Sequence, residues 1–451
     1  MQRRLLLITL VALIFSTSAL ASAQRPPNVV LVMMDDLGYG DLGSYGAPDV
    51  RTPNIDRLAR EGVRFTDAYA NGAVCTPTRA ALISGRYQQR VGLEWVLTVS
   101  AEDHERGLPA TGTSLPALLK ASGYATGLFG KWHLGFKPEV GPNAHGFDEF
   151  YGFLGGAHSY YTNQAEIARV GPGAPDLFEN TTPVAATGYL TDEITRRSVR
   201  FIEGHASAPF FLEVAYNAVH WPFQPPDHPP TDAERRAGRP LRQMPDDSVT
   251  GTRQDYVRIL ERADQGVGEI LAALQQRGLT NNTLVIFTND NGGEWLSRNA
   301  PLFHRKGTLW EGGIRVPLIM RWPGELPAGK ISRQVAITMD VTASILAAAR
   351  AQLPASYRPD GINILPIIGG KAQVLERRLF WRVARPERQQ RAVRSGQWKL
   401  LVDGTQLLLF DLAADPGERT DLAARRPDLV ASLKRLLAEW ESDVDGSDRR
   451  R

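Results

Sequence analysis

The chain has almost no cysteine: Cys75 is the only one in 451 residues. A disulfide within the chain is therefore excluded, and stability has to come from an apolar core and from any bound metal. Strong charge of one sign is also missing, because 52 Lys and Arg residues nearly balance 49 Asp and Glu residues. This balance gives no indication of nucleic-acid binding, which normally requires a strongly basic surface. Internal repeats and low-complexity tracts are absent too.

Long apolar runs are missing as well, so the sequence predicts no membrane span. The apolar stretch near the start, residues 5–15, is too short to cross a bilayer. It follows Arg3 and Arg4 and precedes small residues that end at Ala23, an order typical of a secretory signal peptide. We therefore expect residues 1–23 to be a signal peptide and the protein to be exported, either periplasmic or secreted. The export route stays open.

The remaining sequence alternates short apolar runs with helical patterns, which predicts an α/β fold. The strand candidates are continuously apolar, which is typical of strands that are buried on both faces of a sheet. We therefore expect a large, mostly parallel sheet flanked by helices. A helix is predicted to begin at Pro53, after the N-cap Thr52, and to stop at Gly62. The strand candidates are residues 29–34, 125–129, 210–216, 283–288 and 317–320.

Clusters of polar residues follow four of these apolar runs. In an open α/β sheet, ligands bind beyond the carboxyl ends of the strands, so clusters that are far apart in the sequence are expected to converge there. One such cluster has little meaning by itself, but four of them indicate a functional site. They are Asp35-Asp36, Lys131-Trp132-His133, His220-Trp221-Pro222 and Asp290-Asn291.

The acidic and amide residues of these clusters suit a metal ion. Asp35, Asp36, Asp290 and Asn291 offer oxygen ligands only, which favours a hard cation such as Ca²⁺ or Mg²⁺ over zinc. Adjacent carboxylates at the end of an apolar strand repel each other unless a cation or a base compensates them. The alternative is that these residues only form turns and helix caps. We favour the metal site.

Cys75 is expected at the start of a helix. Pro77 follows two residues later, and helix-forming residues continue beyond it. A helix N-terminus favours anions and activates a nucleophile. A single cysteine is more often a small buried apolar side chain. Its neighbours Thr76, Thr78 and Arg79 are not apolar packing partners, however, so we favour a chemical role.

Basic residues are expected to surround an anion at the same place. Lys131 and His133 are two residues apart, so on an extended segment their side chains point to the same side. With His220 and Lys306 they could clamp a tetrahedral anion and transfer protons. Each of them alone is more often a surface residue or a satisfied buried one. The four residues together indicate a functional site more strongly than any one of them.

Six segments together resemble those of the type I sulfatases, which are formylglycine-dependent enzymes of the alkaline phosphatase superfamily. Cys75-x-Pro77-x-Arg79, followed by residues 82–87, is similar to the family signature and is specific only because the other segments accompany it. The resemblance covers nearly all of the chain after residue 24 and fits arylsulfatases and N-acetylgalactosamine-6-sulfatases. The other five segments are residues 35–41, 130–135, 288–293, 306–317 and 409–416.

This resemblance implies a sulfuric ester hydrolase that acts on an aryl sulfate or a sulfated carbohydrate. Cys75 would be converted to formylglycine by a maturation enzyme that binds transiently, and the hydrated aldehyde would be the nucleophile. One divalent cation, usually Ca²⁺ in this family with Mg²⁺ as the alternative, would be bound. Its ligands would be Asp35, Asp36, Asp290, Asn291 and the modified Cys75.

The resemblance also implies roles for the basic residues. Arg79 would hold the formylglycine hydrate, while Lys131, His220 and Lys306 would neutralise the sulfate oxygens. His220 would in addition protonate the leaving alcohol. His133 would be the base that releases sulfate and regenerates the aldehyde.

Domain boundaries follow from the same resemblance. The expected division is a signal peptide at residues 1–23, a sulfatase catalytic domain at 24–370 and a smaller C-terminal α+β domain with an antiparallel sheet at 371–451. The C-terminal elements expected from the sequence are a hairpin at Ser395-Gly396, a strand at 406–410, a helix at 427–440 and a frayed end at 443–451.

Substrate contacts are expected from aromatic residues and from loops. The polar stretches 171–188 and 222–247 are predicted to be surface loops at the rim of the site. Aromatic side chains near the motifs either stack on sugar or aryl groups or belong to the core, and the sequence leaves both possibilities open. They are Tyr160, Tyr161, Trp221, Trp295 and Trp310.

Three other functions stay open at this point. A phosphomonoesterase or phosphonate hydrolase of the same superfamily shares the metal motifs, although zinc phosphatases need histidine ligands that these strand ends do not supply. A noncatalytic binder of sulfated glycans would keep Cys75 unmodified, but binding alone does not require a positioned acid and base. A purely structural exported protein fits the four polar clusters poorly.

Overall fold

The computed structural model describes residues 25–98, 100–161, 176–229, 251–385 and 388–448. The expected signal peptide therefore lies outside the described residues. The same is true of parts of both expected rim loops, namely residues 171–175 and 230–247.

Ten strands of the described chain form one large sheet. They are β1 (Asn28–Met34), β2 (Val63–Phe65), β4 (Ala125–Lys131), β5 (Glu149–Phe153), β6 (Leu177–Glu179), β7 (Thr182–Pro183), β8 (Phe210–Ala215), β9 (Thr283–Asn289), β10 (Leu318–Arg321) and β11 (Lys330–Ser332). Their order across the sheet is β11-β2-β10-β9-β1-β8-β4-β5-β6-β7. The five strands from β9 to β5 run parallel, whereas β10, β6 and β7 are antiparallel to their neighbours. Two short strands, β3 (Ala68–Tyr69) and β12 (Ala336–Ile337), pair separately.

Helices cover both faces of this sheet. The helices of the described chain, which include those outside this layer, are α1 (Pro53–Glu61), α2 (Cys75–Ser84), α3 (Ala101–His104), α4 (Leu115–Ala121), α5 (Leu190–Gly204), α6 (Arg253–Gln276), α7 (Glu311–Ile314), α8 (Thr338–Ala348), α9 (Leu365–Ile368) and α10 (Pro427–Asp448). Val30 and Val32 of β1 pack with α5 and α6 on one face, while Val29 and Leu31 pack with α2, α4 and α8 on the other. Burial on both faces explains why the central strands are continuously apolar.

A second, smaller sheet follows in the C-terminal part of the chain. Its strands β13 (Arg378–Arg385), β14 (Arg388–Ser395), β15 (Trp398–Asp403) and β16 (Gln406–Asp411) are antiparallel in sequence order. Helix α10 packs against this sheet, and Leu309 and Ile314 from the end of the large region join the same core. The predicted fold class is confirmed: a large sheet flanked by helices, with a smaller antiparallel sheet at the C-terminal end.

A buried ion network attaches the smaller sheet to α7. Lys399 Nζ on β15 lies 2.8 Å from Glu311 Oε1 and 2.9 Å from Glu418 Oε1. The second oxygen of Glu418 accepts a hydrogen bond from the Glu311 backbone N–H at 2.6 Å. All three side chains are buried, so the pairing compensates their charges. The network fixes the point at which the chain enters α7.

The helix that was predicted to start at Pro53 does so, but it is capped differently. The Thr52 hydroxyl donates to Asp56 Oδ1 at 3.2 Å and makes no capping bond. Asp264 of α6 instead accepts a hydrogen bond from the backbone N–H of Ile55 at 2.8 Å. Gly62 ends α1 as predicted, in an extended conformation (φ −143°) rather than the left-handed one common for glycine at a helix end.

The predicted fraying of residues 443–451 is wrong over the part that the structure describes. Helix α10 continues to Asp448. Asp443 forms an ion pair with Arg90, and Asp445 lies 2.8 Å from Arg382. These pairs attach the last turns of the helix to the rest of the protein.

Candidate active site

The four polar clusters lie together at one edge of the large sheet. Strands β9, β1, β8 and β4 are consecutive neighbours and run parallel, so their carboxyl ends meet at this edge. The clusters that follow these strands in the sequence are therefore adjacent in space. The first residue of α2, Cys75, lies at the same edge.

Asp35 and Asp36 occupy the centre of the site. Asp35 is fully buried, and Lys131 Nζ donates to its Oδ2 at 2.6 Å. Asp36 has a left-handed backbone (φ 61°), which is uncommon outside glycine. Lys306 Nζ donates to Asp36 Oδ2 at 2.8 Å, and His220 Nε2 lies 3.5 Å from the same oxygen. Two lysines and a histidine thus face two adjacent carboxylates.

The two carboxyl groups differ in their electrostatics. Burial raises the pKa of Asp35 to about 8, and the neighbouring Asp290 adds to this shift. Burial also opposes ionisation of Asp36, but Lys306 and His220 outweigh it and hold its pKa well below the usual range. Positive charge therefore compensates Asp36 but not Asp35, and a cation bound next to Asp35 would relieve the repulsion from Asp290.

Cys75 begins α2 and is buried beside Asp35. Its Sγ lies 3.7 Å from Asp35 Oδ1, and Val74 precedes the helix in an extended conformation. Burial raises the pKa of the thiol to about 12, although Lys131 and Lys306 act against the shift. Burial therefore works against activation of the unmodified thiol by the helix end, and a protonated thiol is a poor nucleophile.

Arg79 lies one turn after Cys75 on the same helix and binds Asp290. Its Nε and Nη2 donate to Asp290 Oδ2 at 3.0 and 2.8 Å, and its Nη1 donates to the Lys131 carbonyl at 3.1 Å. Both charged partners are almost completely buried. These bonds position Asp290 and the end of β4 relative to α2.

Asn291, which lies beside Asp36, has a side-chain oxygen without a hydrogen-bond partner among the described residues. Its Nδ2 donates to Asp36 Oδ1 at 2.7 Å. Its buried Oδ1 has no hydrogen-bond partner among the described residues. A buried carbonyl oxygen without a partner is costly, and a hard cation is a partner that would satisfy it. The donor set therefore fits the expected cation.

His220 belongs to the same potential ligand group. One ligand atom from each of Asp35, Asp36, Cys75 and His220 lies within 4.8 Å of the others. From the sequence, His220 was predicted to bind the anion and transfer protons, and it was not among the predicted ligands. Its Nδ1 lies 2.6 Å from the Trp221 carbonyl, which directs Nε2 towards Asp36.

His133 is buried at the end of β4 and is neutral. Its Nε2 lies 2.8 Å from the Leu97 carbonyl, so this nitrogen carries the proton. Its Nδ1 is then an acceptor, and it has no partner among the described residues. Burial, with Lys131 as a further contribution, holds the pKa of His133 well below the usual range. The predicted extended segment is wrong, because His133 has a left-handed backbone (φ 59°).

Lys306 reaches the site from a loop that hydrogen bonds to other segments hold in place. The backbone N–H of Gly307 donates to the Ala73 carbonyl at 2.7 Å, near the start of α2. Arg388 Nη1 on β14 donates to the Gly307 carbonyl at 2.8 Å. Gln390 Oε1 on the same strand accepts from the Leu309 N–H at 2.8 Å. The smaller sheet therefore helps to position Lys306.

Glu294 is a site residue that the sequence analysis missed. Its Oε2 lies 3.5 Å from Lys306 Nζ, and burial raises its pKa to about 7. The signal was present in the sequence, since Glu294 comes directly after the Gly292-Gly293 end of the Asp290 motif. Nothing in the local pattern indicated that it would contact a loop residue twelve positions later.

The aromatic residues near the motifs have different locations. Tyr160 is buried, and its hydroxyl donates to the His220 carbonyl at 3.0 Å, so it supports the histidine from within the core. Trp310 packs between Phe303 and Phe410, and Tyr161 packs against Tyr189. Trp221 and Trp295 are half-buried, with ring centroids 6.4 Å apart, and Trp221 lies 4.8 Å from the His220 ring. Trp221 therefore adjoins the His220 ring directly, and Trp295 adjoins it through Trp221.

The fold and the site together define a hydrolase of the sulfatase family. The family model described as Sulfatase matches residues 27–351, and the model described as N-sulphoglucosamine sulphohydrolase, C-terminal, matches residues 301–443. The chain belongs to the sulfatase family and is a sulfuric ester hydrolase. The resemblance inferred from the sequence motifs is confirmed.

Individual relatives are similar over most of their length. N-acetylgalactosamine-6-sulfatase from Mus musculus is 33% identical over 92% of this chain and 85% of its own. Arylsulfatase A from Bos taurus is 34% identical over 93% of this chain and 89% of its own. The solved structure of Ps i-CgsB in complex with k-i-k-neocarrahexaose has a TM-score of 0.82 and 33% identity, covering 92% of this chain and 93% of that one.

More distant structures share the fold alone. Phosphonate monoester hydrolase of Agrobacterium radiobacter has a TM-score of 0.68 at 22% identity, covering 93% of this chain and 96% of that one. Among the described residues, no helix combines the length and the apolar character that crossing a membrane requires.

Proposed function

We propose that this protein is an exported, formylglycine-dependent sulfatase that hydrolyses sulfate esters of carbohydrates. The observation that carries the proposal is the position of Cys75 at the start of α2. Its thiol lies 3.7 Å from Asp35 Oδ1, near Lys131, Lys306 and His220, yet burial raises its pKa to about 12. A thiol that is held at the centre of a catalytic constellation but kept protonated fits a precursor of the nucleophile better than the nucleophile itself.

The modified Cys75 would supply the missing nucleophile. Formylglycine, as its hydrate, offers an oxygen that attacks the sulfur of the ester, and it later releases sulfate by reforming the aldehyde. A formylglycine-generating enzyme of the host has to act on residues 75–79 before folding buries them, because Cys75 is almost completely buried in the folded chain.

A divalent cation is proposed between the carboxylates, with Ca²⁺ expected and Mg²⁺ as the alternative. Asp35, Asp36, Asp290, Asn291 and the modified Cys75 would hold it. The cation would polarise a sulfate oxygen and favour the ionised form of the nucleophile. The unsatisfied Asn291 Oδ1 and the raised pKa of Asp35 support this assignment.

Lys131 and Lys306 are proposed to bind the sulfate group. Both ammonium groups already point at the Asp35–Asp36 pair, with N–O distances of 2.6 and 2.8 Å. Preorganised positive charge in a buried site stabilises the negative charge that develops on the sulfate oxygens in the transition state. Arg79 holds Asp290 at the back of the site, and we propose that its guanidinium also contacts the formylglycine hydrate.

The two histidines are proposed to divide the proton transfers. His220 lies on the side of the half-buried Trp221 and Trp295, where the alcohol part of the ester would leave, and it would protonate that alcohol. His133 would accept the proton whose removal allows sulfate to leave the enzyme. Its Nδ1 has no partner among the described residues, and its lowered pKa keeps it in the neutral form that a base requires.

A sulfated carbohydrate is the proposed substrate class. N-acetylgalactosamine-6-sulfatase acts on a sugar, and Ps i-CgsB was solved with a carrageenan oligosaccharide bound. The Trp221–Trp295 pair next to His220 offers a surface on which a sugar ring can stack. The sequence left open whether these aromatic residues contact a sugar or belong to the core. For Trp221 and Trp295 we favour sugar contact.

The proposal is tested with a matched pair of esters, para-nitrophenyl sulfate and para-nitrophenyl phosphate. Protein that has been co-produced with a formylglycine-generating enzyme is expected to hydrolyse the sulfate with a kcat/KM at least about tenfold higher than for the phosphate. A preference for the phosphate would identify a phosphomonoesterase instead. Binding of the sulfate without turnover would identify a noncatalytic binder.

Metal binding has its own test, which does not depend on turnover. Calcium at about 100 times its Kd is expected to stabilise the chelator-treated protein by about 2.7 kcal/mol, measured as a shift of the thermal unfolding midpoint. Asn291→Ala should lose most of this shift. Asn28→Ala is the matched control, because Asn28 is also buried with an unpartnered Oδ1 but lies at the other end of β1. An undiminished calcium shift in Asn291→Ala would contradict the assignment.

A further inference from the structure

A polar cleft lies beside the loop that carries Lys306. It has a volume of about 500 Å³, which is within the range of small-molecule sites. One wall is the loop itself, and the other is formed by the start of β14 and the turn after β15. The residues that line it are His304, Thr308, Arg388, Gln389, Gln390, Asp403 and Gly404.

The cleft and the proposed sulfate site share a loop, and hydrogen bonds connect this loop to the start of α2. Lys306 lies between His304 and Thr308, so the loop that points its ammonium group at Asp36 also forms the cleft wall. Gly307 is held to Ala73, two residues before Cys75, by a backbone hydrogen bond of 2.7 Å. The same loop therefore contacts both the proposed sulfate site and the cleft.

The side chains in the cleft favour a negatively charged ligand. Arg388 is exposed, and the one hydrogen bond of its guanidinium within the described structure runs from Nη1 to the Gly307 carbonyl. Its other N–H groups remain able to donate. Asp403 is the one carboxylate among the described lining residues, and Gln390 Nε2 already donates to it at 2.7 Å.

Arg305 adds to the positive potential beside the cleft, and His304 adds a hydrogen-bond donor. Burial, followed by the charges of Arg388 and Arg305, lowers the pKa of His304. The imidazole therefore offers an anion a ring N–H rather than a positive charge. Arg305 also lies over the Trp295 ring, with its guanidinium carbon 5.8 Å from the ring centroid. Positive charge therefore extends from the Trp221–Trp295 pair to the cleft.

We propose that this cleft binds a second, negatively charged sugar unit of the substrate, through Arg388 and His304. The enzyme would then act on an anionic oligosaccharide or polysaccharide rather than on a single sulfated sugar. This inference rests on the proposed function for the identity of the first unit. The ligand group is an anionic oxygen on a sugar, and either a sulfate or a uronate carboxylate can supply it.

The test measures binding in the full-length Cys75→Ala protein, so that turnover plays no part. Isothermal titration gives the Kd of three probes: a neocarrahexaose, whose charges are sulfates, a chondroitin sulfate hexasaccharide, which also carries carboxylates, and para-nitrophenyl sulfate. We expect both Arg388→Ala and His304→Ala to weaken hexasaccharide binding relative to the small ester, by about tenfold for Arg388→Ala. If affinity falls only for the neocarrahexaose, the cleft recognises a sulfate. If affinity falls only for the chondroitin sulfate hexasaccharide, the cleft recognises a carboxylate.

Arg391→Ala is the matched control, since Arg391 is an exposed arginine on the same strand that pairs with Glu441 outside the cleft. The proposal is overturned if Arg388→Ala weakens all three probes equally, which would mean that Arg388 acts only through Gly307 and Lys306. It is also overturned if the hexasaccharides bind no more tightly than the small ester, or if Arg391→Ala has the same effect. Hydrolysis of para-nitrophenyl sulfate by the mature wild-type enzyme tests the proposed function separately.

Discussion

Replacing Cys75 by alanine is expected to lower the turnover of sulfate esters by at least about 10⁴-fold, because the proposed nucleophile can then not be made. The fold should persist, since the change removes only one buried sulfur atom from the start of α2. The measurement is the initial rate with para-nitrophenyl sulfate, combined with a thermal unfolding curve for each variant. Normal turnover by Cys75→Ala would contradict the mechanism.

A control for this variant is available on the same helix. Ser84 ends α2, and its hydroxyl donates to the Ala80 carbonyl at 2.7 Å, far from the carboxylate pair in the order of the helix. Ser84→Ala also removes a single side-chain atom. Ser84→Ala should change the unfolding midpoint slightly and keep the turnover of the wild type. A loss of turnover that occurs only in Cys75→Ala is then due to the missing nucleophile.

Replacing His133 by alanine is expected to lower kcat by about 10²–10⁴-fold, the usual contribution of a positioned base. Sulfate should remain covalently attached to the enzyme for longer, because His133 is proposed to act after the ester has been cleaved. Mass spectrometry of protein quenched during turnover would then show an enzyme carrying sulfate, together with a burst of released alcohol. A slower first step without any bound sulfate would place His133 elsewhere in the mechanism.

His145 offers a close control for His133. It is also buried, its Nε2 contacts a backbone carbonyl, that of Leu108, at 3.0 Å, and its Nδ1 has no partner among the described residues. Burial lowers its pKa to about 4. It packs against Trp132 and lies outside the site. His145→Ala should cost comparable stability without the accumulation of bound sulfate.

The sequence could predict the convergence of the site because it depends on topology. The clusters after β1, β4, β8 and β9 each follow a buried apolar run, and parallel strands place their carboxyl ends at one edge. The start of α2 at Cys75 could also be predicted from the sequence, since Pro77 fits the first turn of a helix. These features are local in the sequence and general in their physical cause.

Other features depend on contacts between distant segments. The Asp264 cap of α1 joins residues that are more than 200 positions apart. The support of the Lys306 loop by Arg388 and Gln390 comes from a strand about 80 residues later. Neither contact leaves a local pattern of hydrophobicity or charge, so the sequence alone gave no reason to expect it.

The protonation state of Cys75 could not be predicted for a different reason. A helix N-terminus lowers the pKa of a thiol, whereas burial raises it, and the outcome depends on how completely the side chain is shielded from water. The structure buries Cys75 next to Asp35, and burial prevails over the nearby Lys131 and Lys306. A buried, protonated thiol at this position fits the proposed conversion of Cys75 to formylglycine.

The most direct test of the central claim is mass spectrometry of the tryptic peptide that spans residues 65–79, prepared from catalytically active protein made in its own host. The account predicts that Cys75 is found as formylglycine, with an aldehyde in place of the thiol group. An unmodified thiol at Cys75 in protein that hydrolyses sulfate esters at full rate would contradict it.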